Sequence, residues 1–320
     1  MPDVLDDIRS ACAVVSDQAT SVAIAHDRLV AYAARLVPAL TATQNGDPGR
    51  QRVGDDEATA SFIITLDAIN FGSGYFPYLH KRSGMSGYFT VATSLREYAH
   101  ATGPLTARHL CEATPADCAA IFGQRLDDGM QRELMTHFAR ALNDLGADIR
   151  DHFDGSFLAF VDAAEQSAAK LVMLLDRQPY FHDVSRYRGF DVPLYKRAQI
   201  TAYDLAEAFG RCGPGRFHDL ERLTMFADNL VPHVLRVDGL LVFDPTLVAR
   251  IERVDDITAG SEPEVEIRAV ALHTVELLVA ELRAMGHETT SGQLDALLWQ
   301  RGGQPEYKAI PRHRTRSVFY

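Results

Sequence analysis

Apolar residues recur along most of the chain at helical spacing. Between Glu264 and Met285 the positions Ala271, Val275, Leu278, Leu282 and Met285 follow at steps of four and three, which predicts one apolar stripe on a long helix. Glu264 and Arg268 stand four apart with the acid first, the favourable order for an exposed helical pair. Gly286 supplies the left-handed residue that ends the helix. His26 to Leu40 reads the same way through Leu29, Ala33, Leu36 and Leu40. Thr114-Pro115 has the form of an N-cap followed by proline at the first helical position. Ser156 opens a long run that stops near Pro179, and Leu194 to Phe209 closes at Gly210 and the turn from Gly213 to Gly215.

Strand signals are few. Tyr187 to Val192 and Gly239 to Phe243 are candidates for short extended pieces, and no segment alternates for long. The fold class expected is therefore mainly α with a few short strands. Thr43 to Asp56, rich in Gly, Asp, Gln and Arg, reads as a mobile loop, and Gly72 to Gly87 as a second one rich in glycine and aromatics.

Composition narrows the function. The 320 residues are 47% hydrophobic, enough for a sizeable core, and carry a formal net charge of -11. That balance opposes general nucleic-acid binding, which needs a basic footprint, but leaves room for one phosphorylated small molecule in a local basic pocket. The four cysteines form no CxxC pair. Cys111 and Cys118, seven apart, would share a face if their stretch is helical, and free thiols in a reducing compartment are expected. No apolar run reaches the length of a membrane span and the acidic N-terminus lacks a signal-like core, so a cytoplasmic protein is expected.

Four segments could carry chemistry. In LDAINFGSGYFP a helix runs through Asp67 and ends near Asn70, and a glycine loop then presents Phe71 and further aromatics; this is either a platform for a flat base or a packed aromatic turn. In LYKRAQITAYDL, Lys196 and Arg197 lie on the first turn of a helix, where a cation opposes the macrodipole; they are either phosphate ligands or solvated charges. Beyond Gly213, a short helix from about Leu220 to Phe226 leads to Asp228, placed to cap the next helix. Such a carboxylate accepts backbone N–H groups that favour its charged form, and suits stabilising a cation or orienting water; the plain alternative is a cap alone. In LDALLWQ, Asp295 shares a face with Trp299 and could accept a guanine-like edge, or be a surface acid beside a core anchor.

Metal chemistry has little support. Glu97 and His100 make one ExxH pair where a di-metal bundle needs two. His182-Asp183 and His218-Asp219 resemble the pairs of HD-type phosphohydrolases without the remaining ligands. HExxH, GxSxG, Walker A and GxGxxG motifs are all missing. No metal and no cofactor are expected.

An ordered set of segments resembles the queuosine salvage protein family, the queuosine 5′-phosphate N-glycosylase/hydrolases. It comprises DAINF (Asp67 to Phe71), GSFL (Gly155 to Leu158), YKRAQI (Tyr195 to Ile200), MFAD (Met225 to Asp228), VPHVL (Val231 to Leu235), EVEIRA (Glu264 to Ala269) and the terminal HRTRSVFY (His313 to Tyr320). The resemblance implies a helical fold similar to helix-hairpin-helix DNA glycosylases, with variable N-terminal helices over 1–56 and a catalytic helical core over 57–320 of a single domain. It implies hydrolysis of queuosine 5′-phosphate to free queuine for tRNA modification, with Asp228 catalytic, Phe226 its aromatic neighbour and Asp295 the base-recognition acid. Phe71, with Phe226, would pack against the base, Lys196 with Arg197 would hold the phosphate, and Asn70 is a further substrate-binding candidate. The chain departs from many relatives at Ala296 and Gln300, where they carry an aromatic and an acid, and in its glycine-rich loop after Phe71. Two other readings share these features: a DNA-repair glycosylase, which the net charge opposes, and a non-catalytic binder of modified nucleosides, which would not need Asp228.

Overall fold

A computed structural model describes residues 3–40 and 50–320. Thr43 to Pro48 and Gly49, within the expected loop, lie outside the described residues. The chain runs α1 (Val4–Gln18), β1 (Val22–Ile24), α2 (Leu29–Leu40), α3 (Asp56–Ala68), α4 (Gly87–Thr102), α5 (Ala107–Cys111), α6 (Pro115–Phe122) and α7 (Gly129–His152). It continues with α8 (Phe157–Asp162), α9 (Ala168–Asp176), β2 (Val184–Tyr187), β3 (Phe190–Pro193), α10 (Lys196–Ala208), α11 (Leu230–Val237) and β4 (Leu241–Phe243). Last come α12 (Pro245–Glu252), α13 (Glu262–Ala284), α14 (Ser291–Gly302) and α15 (Pro305–Lys308). The fold is mainly helical, as the periodicity predicts.

These elements form two compact units, each assembled from separate stretches of chain. One contains Met1–Asn45, Asp183–Lys196 and Glu221–Arg316; the other contains Gly46–His182, Arg197–Leu220 and Ser317–Tyr320.

In the first unit α13 is the central helix, packed by α1, α2, α11 and α14. Its stripe from Ala271 to Leu282 is buried as expected, but burial also extends all round its first half, from Glu264 to Leu272. The Glu264–Arg268 pair, expected on the surface, is therefore inside: the side chains are 2% and 1% exposed. Charged groups this deep need partners, and the first half of α13 supplies and receives them. Glu266 accepts the backbone N–H groups of Thr20, Ser21 and Val22, and the Tyr187 hydroxyl. That carboxylate thereby fixes the entry to β1, which pairs antiparallel with β4. The second ribbon is a hairpin of β2 and β3. Its turn falls inside Tyr187 to Val192, so the piece expected to be one strand is the bend between two.

In the second unit α7 packs against α5, α6 and α3. Thr114 caps α6 reciprocally with Asp117, and Pro115 is at the first helical position, as predicted. Cys111 ends α5 and Cys118 lies in α6, so the two do not share one helix face. The run after Ser156 is broken rather than continuous. Glu165 and Gln166 adopt positive φ (50° and 59°), and Ser167 then caps α9. Asp219 reinforces that second start by accepting from Ser167 Oγ and the N–H groups of Ala168 and Ala169. The break falls at the polar residues Glu165, Gln166 and Ser167, between two apolar stretches that read as one run.

Candidate active site

Asp228 closes an extended stretch, not a helix. Only Leu220–Arg222 forms a single 3-10 turn, and Leu223 to Ala227 run without regular structure, so the helix expected to reach Phe226 is absent. Met225, Phe226 and Ala227 are buried. Buried backbone outside secondary structure must find partners elsewhere; the Met225 carbonyl accepts from the Thr224 hydroxyl at 3.3 Å, and two charged side chains hold the residues that follow. The Phe226 N–H donates to Asp295 Oδ1 at 3.0 Å. Arg268 Nε donates to the Ala227 carbonyl at 2.8 Å.

Asp228 itself caps α11: its Oδ1 accepts from the N–H groups of Leu230 (2.7 Å) and Val231 (3.2 Å), as its place in the sequence predicts. The side chain is half-buried. Among the described residues its Oδ2 takes no hydrogen bond. One carboxylate oxygen thus orients the group.

Arg268 anchors this arrangement. Both terminal nitrogens bond Asp183, at 3.0 and 2.6 Å, and Glu264 lies 3.6 Å away. Asp183 Oδ2 also accepts the Lys196 N–H at 3.1 Å. Lys196, at the start of α10 and buried, is therefore joined to Asp228 through Asp183, Arg268 and Ala227. Asp183 belongs to one of the two His-Asp pairs; its partner His182 instead meets Asp176 at 2.7 Å. Among the described residues no group of three His, Cys, Asp or Glu side chains could hold a metal ion.

Of the expected site residues, Asp228, Phe226, Asp295 and Lys196 share the first unit. Asp295 is buried in the second turn of α14, not on the surface. Asn70, Phe71 and Arg197 lie in the second unit and form a cluster of their own. Phe71, expected to offer a face to a base, is 1% exposed; its ring meets Phe138 edge-on at 5.2 Å and Tyr180 at 5.8 Å. Arg197, expected to meet a phosphate, is buried between the rings of Phe71 and Phe181, 4.8 and 4.7 Å from their centroids. Its guanidinium donates to the carbonyls of Asp67, Ala68, Tyr180 and Val318. An arginine so engaged ties the end of α3 to the C-terminal residues. Asn70 Nδ2 is 3.4 Å from Asp67 Oδ1. A hollow of about 340 Å³ lined by Thr20, Asp244, Arg250 and others includes none of the expected residues.

Sequence reasoning missed Asp183 and Arg268. The signal was present in EVEIRA, where Glu264, Glu266 and Arg268 at successive even positions spread around a helix too apolar to expose all three.

Two histidines pack beside α11. His233 donates from Nε2 to the Tyr307 carbonyl at 2.9 Å, and burial pushes its pKa down to about 4 from the ordinary 6.5. His313 is fully buried and held well below its ordinary value, first by burial and then by the charges of Arg312 and His233. A histidine whose folded pKa is depressed contributes stability that is present above its unfolded value and lost as pH falls toward its folded value. The melting temperature should accordingly fall between pH 6.5 and 4, with His233 alone contributing about 3 kcal/mol of the loss. In melting curves across this range His233→Gln should show a shallower pH slope than the parent; an identical slope would rule His233 out.

The family model described as queuosine salvage protein matches residues 50–320. The chain belongs to the queuosine salvage protein family. A member from Sphaerobacter thermophilus is 38% identical over 317 residues, covering 96% of this chain and 95% of that protein. A Dictyostelium discoideum member is 32% identical over 82% of this chain and 79% of its own, and a Bos taurus member 30% identical over 83% of each. All three are named queuosine 5′-phosphate N-glycosylase/hydrolase. The family match takes in Asp228 and its anchors Asp183, Arg268 and Asp295. Among the described residues no helix is long and apolar enough to cross a membrane.

Proposed function

We propose that this protein hydrolyses the N-glycosidic bond of queuosine 5′-phosphate and releases queuine for reuse in tRNA modification. The observation that carries this reading is the half-buried Asp228, whose Oδ1 is fixed by α11 and whose Oδ2 faces no described partner, within a family whose relatives bear that activity in their names. Queuine is a 7-deazaguanine, with carbon at the position of N7, so the base cannot be activated by protonation there. More of the barrier then falls on stabilising positive charge at the sugar. In the reaction the electron pair of the C1′–N9 bond leaves with the base, water adds its oxygen to C1′, and a proton from water ends on the base.

Asp228 Oδ2 stabilises the developing oxocarbenium ion and aligns the water. Phe226 and Asp295 contact the base, and Asp295 also fixes Phe226, two residues before Asp228, through its backbone. Lys196 faces the 5′-phosphate. Arg197 and Phe71, engaged in packing, are assigned no contact with substrate. The four cysteines are free thiols, which fits a reducing compartment such as the cytoplasm.

Mass spectrometry of queuosine 5′-phosphate incubated with the protein tests the reading: free queuine should accumulate with time, and unchanged nucleotide would reject it. Lys196→Ala should lower kcat/KM on the nucleotide by about tenfold or more with little change on the nucleoside. Equal losses on both would argue against a phosphate role.

A further inference from the structure

The final residues of the first unit form a strap beside α11. Arg236 Nη2, on α11, donates to the Pro311 carbonyl at 2.6 Å, and the Ile257 N–H donates to the Arg314 carbonyl at 2.7 Å. Between these ties His313 is buried, so the backbone on both sides of Arg312 is fixed. Nearby, Arg316 pairs with Asp256 and Arg236 lies over Phe243, while the Arg314 side chain, like that of Arg312, makes no hydrogen bond or ion pair among the described residues. Arg312 stands between the two ties. It is half-buried, yet among the described residues it forms no hydrogen bond and no ion pair. Asp228 is the carboxylate whose charge acts on it, without reaching contact, and Arg314 adds a second positive charge nearby.

A guanidinium set part-way inward, with no protein acceptor among the described residues and with nitrogens that still reach solvent, is open to an anion. The neighbouring Asp228 sharpens the argument. A nucleotide that places C1′ against this carboxylate carries its phosphate on the same sugar, so a second negative charge comes within short range of the first. Repulsion between them would weaken binding unless a cation stands close to both.

We propose that Arg312 receives the 5′-phosphate of the substrate beside Asp228, and so makes the site prefer nucleotides to nucleosides. This rests on the function proposed above and adds a phosphate ligand to Lys196. Arginine suits the task because its fork of N–H groups matches two phosphate oxygens at once.

Calorimetric titration of the parent protein, Arg312→Gln and Arg312→Lys with ribose 5-phosphate and, separately, with queuine reads the two halves of the site. Arg312→Gln should weaken ribose 5-phosphate about tenfold or more and leave queuine affinity unchanged, with Arg312→Lys recovering part of the loss. Unchanged ribose 5-phosphate affinity in Arg312→Gln, equal loss for both ligands, or no binding of ribose 5-phosphate to the parent would overturn the inference. Failure of the catalytic reading is distinct from all of these: the parent would then release no queuine, whatever Arg312 does to ribose 5-phosphate.

Discussion

Asp228→Asn should fold like the parent and lose roughly a thousandfold in kcat. The two halves of this expectation come from the two oxygens of one side chain. Oδ1 caps α11 through Leu230 and Val231, and asparagine caps helices about as well as aspartate, so the cost in stability should be a few tenths of a kcal/mol. Oδ2 would become an amide nitrogen without negative charge, which can neither oppose an oxocarbenium ion nor accept a proton from water. Asp228→Ala separates the roles further. It should lose the same activity and in addition about 1 kcal/mol through the missing cap. Unfolding by denaturant beside single-turnover kinetics measures both. Activity within tenfold of the parent in Asp228→Asn would make the residue a cap and nothing more.

Arg268→Met carries the largest expected effect on stability. The arginine is 1% exposed and its loss would leave the Asp183 carboxylate, 3% exposed, without its partner. Breaking a buried pair from one side costs roughly 3–5 kcal/mol, since the remaining charge is neither solvated nor matched. The Ala227 carbonyl would also lose its donor, so the extended stretch that delivers Asp228 should loosen. Urea denaturation should show the drop, and kcat should fall in whatever fraction remains folded. Removing both charges in Arg268→Met/Asp183→Leu should recover part of the stability, because the stranded Asp183 charge is gone, while the Ala227 carbonyl and the Lys196 N–H each still lose a hydrogen bond and Glu264 loses its nearby cation. It should not recover activity, since Ala227 is still unheld. A single variant as stable as the parent would mean that the pair does not anchor the segment.

The sequence made the helical class legible because apolar spacing directly records burial on one face. The stripe on α13 and the caps at Thr114 and Asp228 are local patterns, and each occurs where spacing places it. What spacing cannot convey is which other segment supplies a partner. Glu264 and Arg268 look like a surface pair until Asp183, distant in sequence, is brought against the arginine. The break at Glu165 and Gln166 escaped for the same reason, since Asp219 comes from outside the run. Phe71 and Arg197 show the opposite hazard. Glycine, aromatic and cation in one segment fit a ligand site and a packed turn equally, and here each finds its partners within its own unit. Arg312 drew no notice among the alternating arginines Arg312, Arg314 and Arg316; its fixed backbone and the charge of Asp228 beside it emerge only from the fold.

The most direct measurement is hydrolysis of queuosine 5′-phosphate in oxygen-18 water by the parent protein and Asp228→Asn, with both products weighed by mass spectrometry. The parent should yield unlabelled queuine and ribose 5-phosphate carrying one heavy oxygen, and the variant almost neither. Intact nucleotide with the parent, or queuine released by Asp228→Asn at the parent's rate, would contradict the role of Asp228 as the working carboxylate.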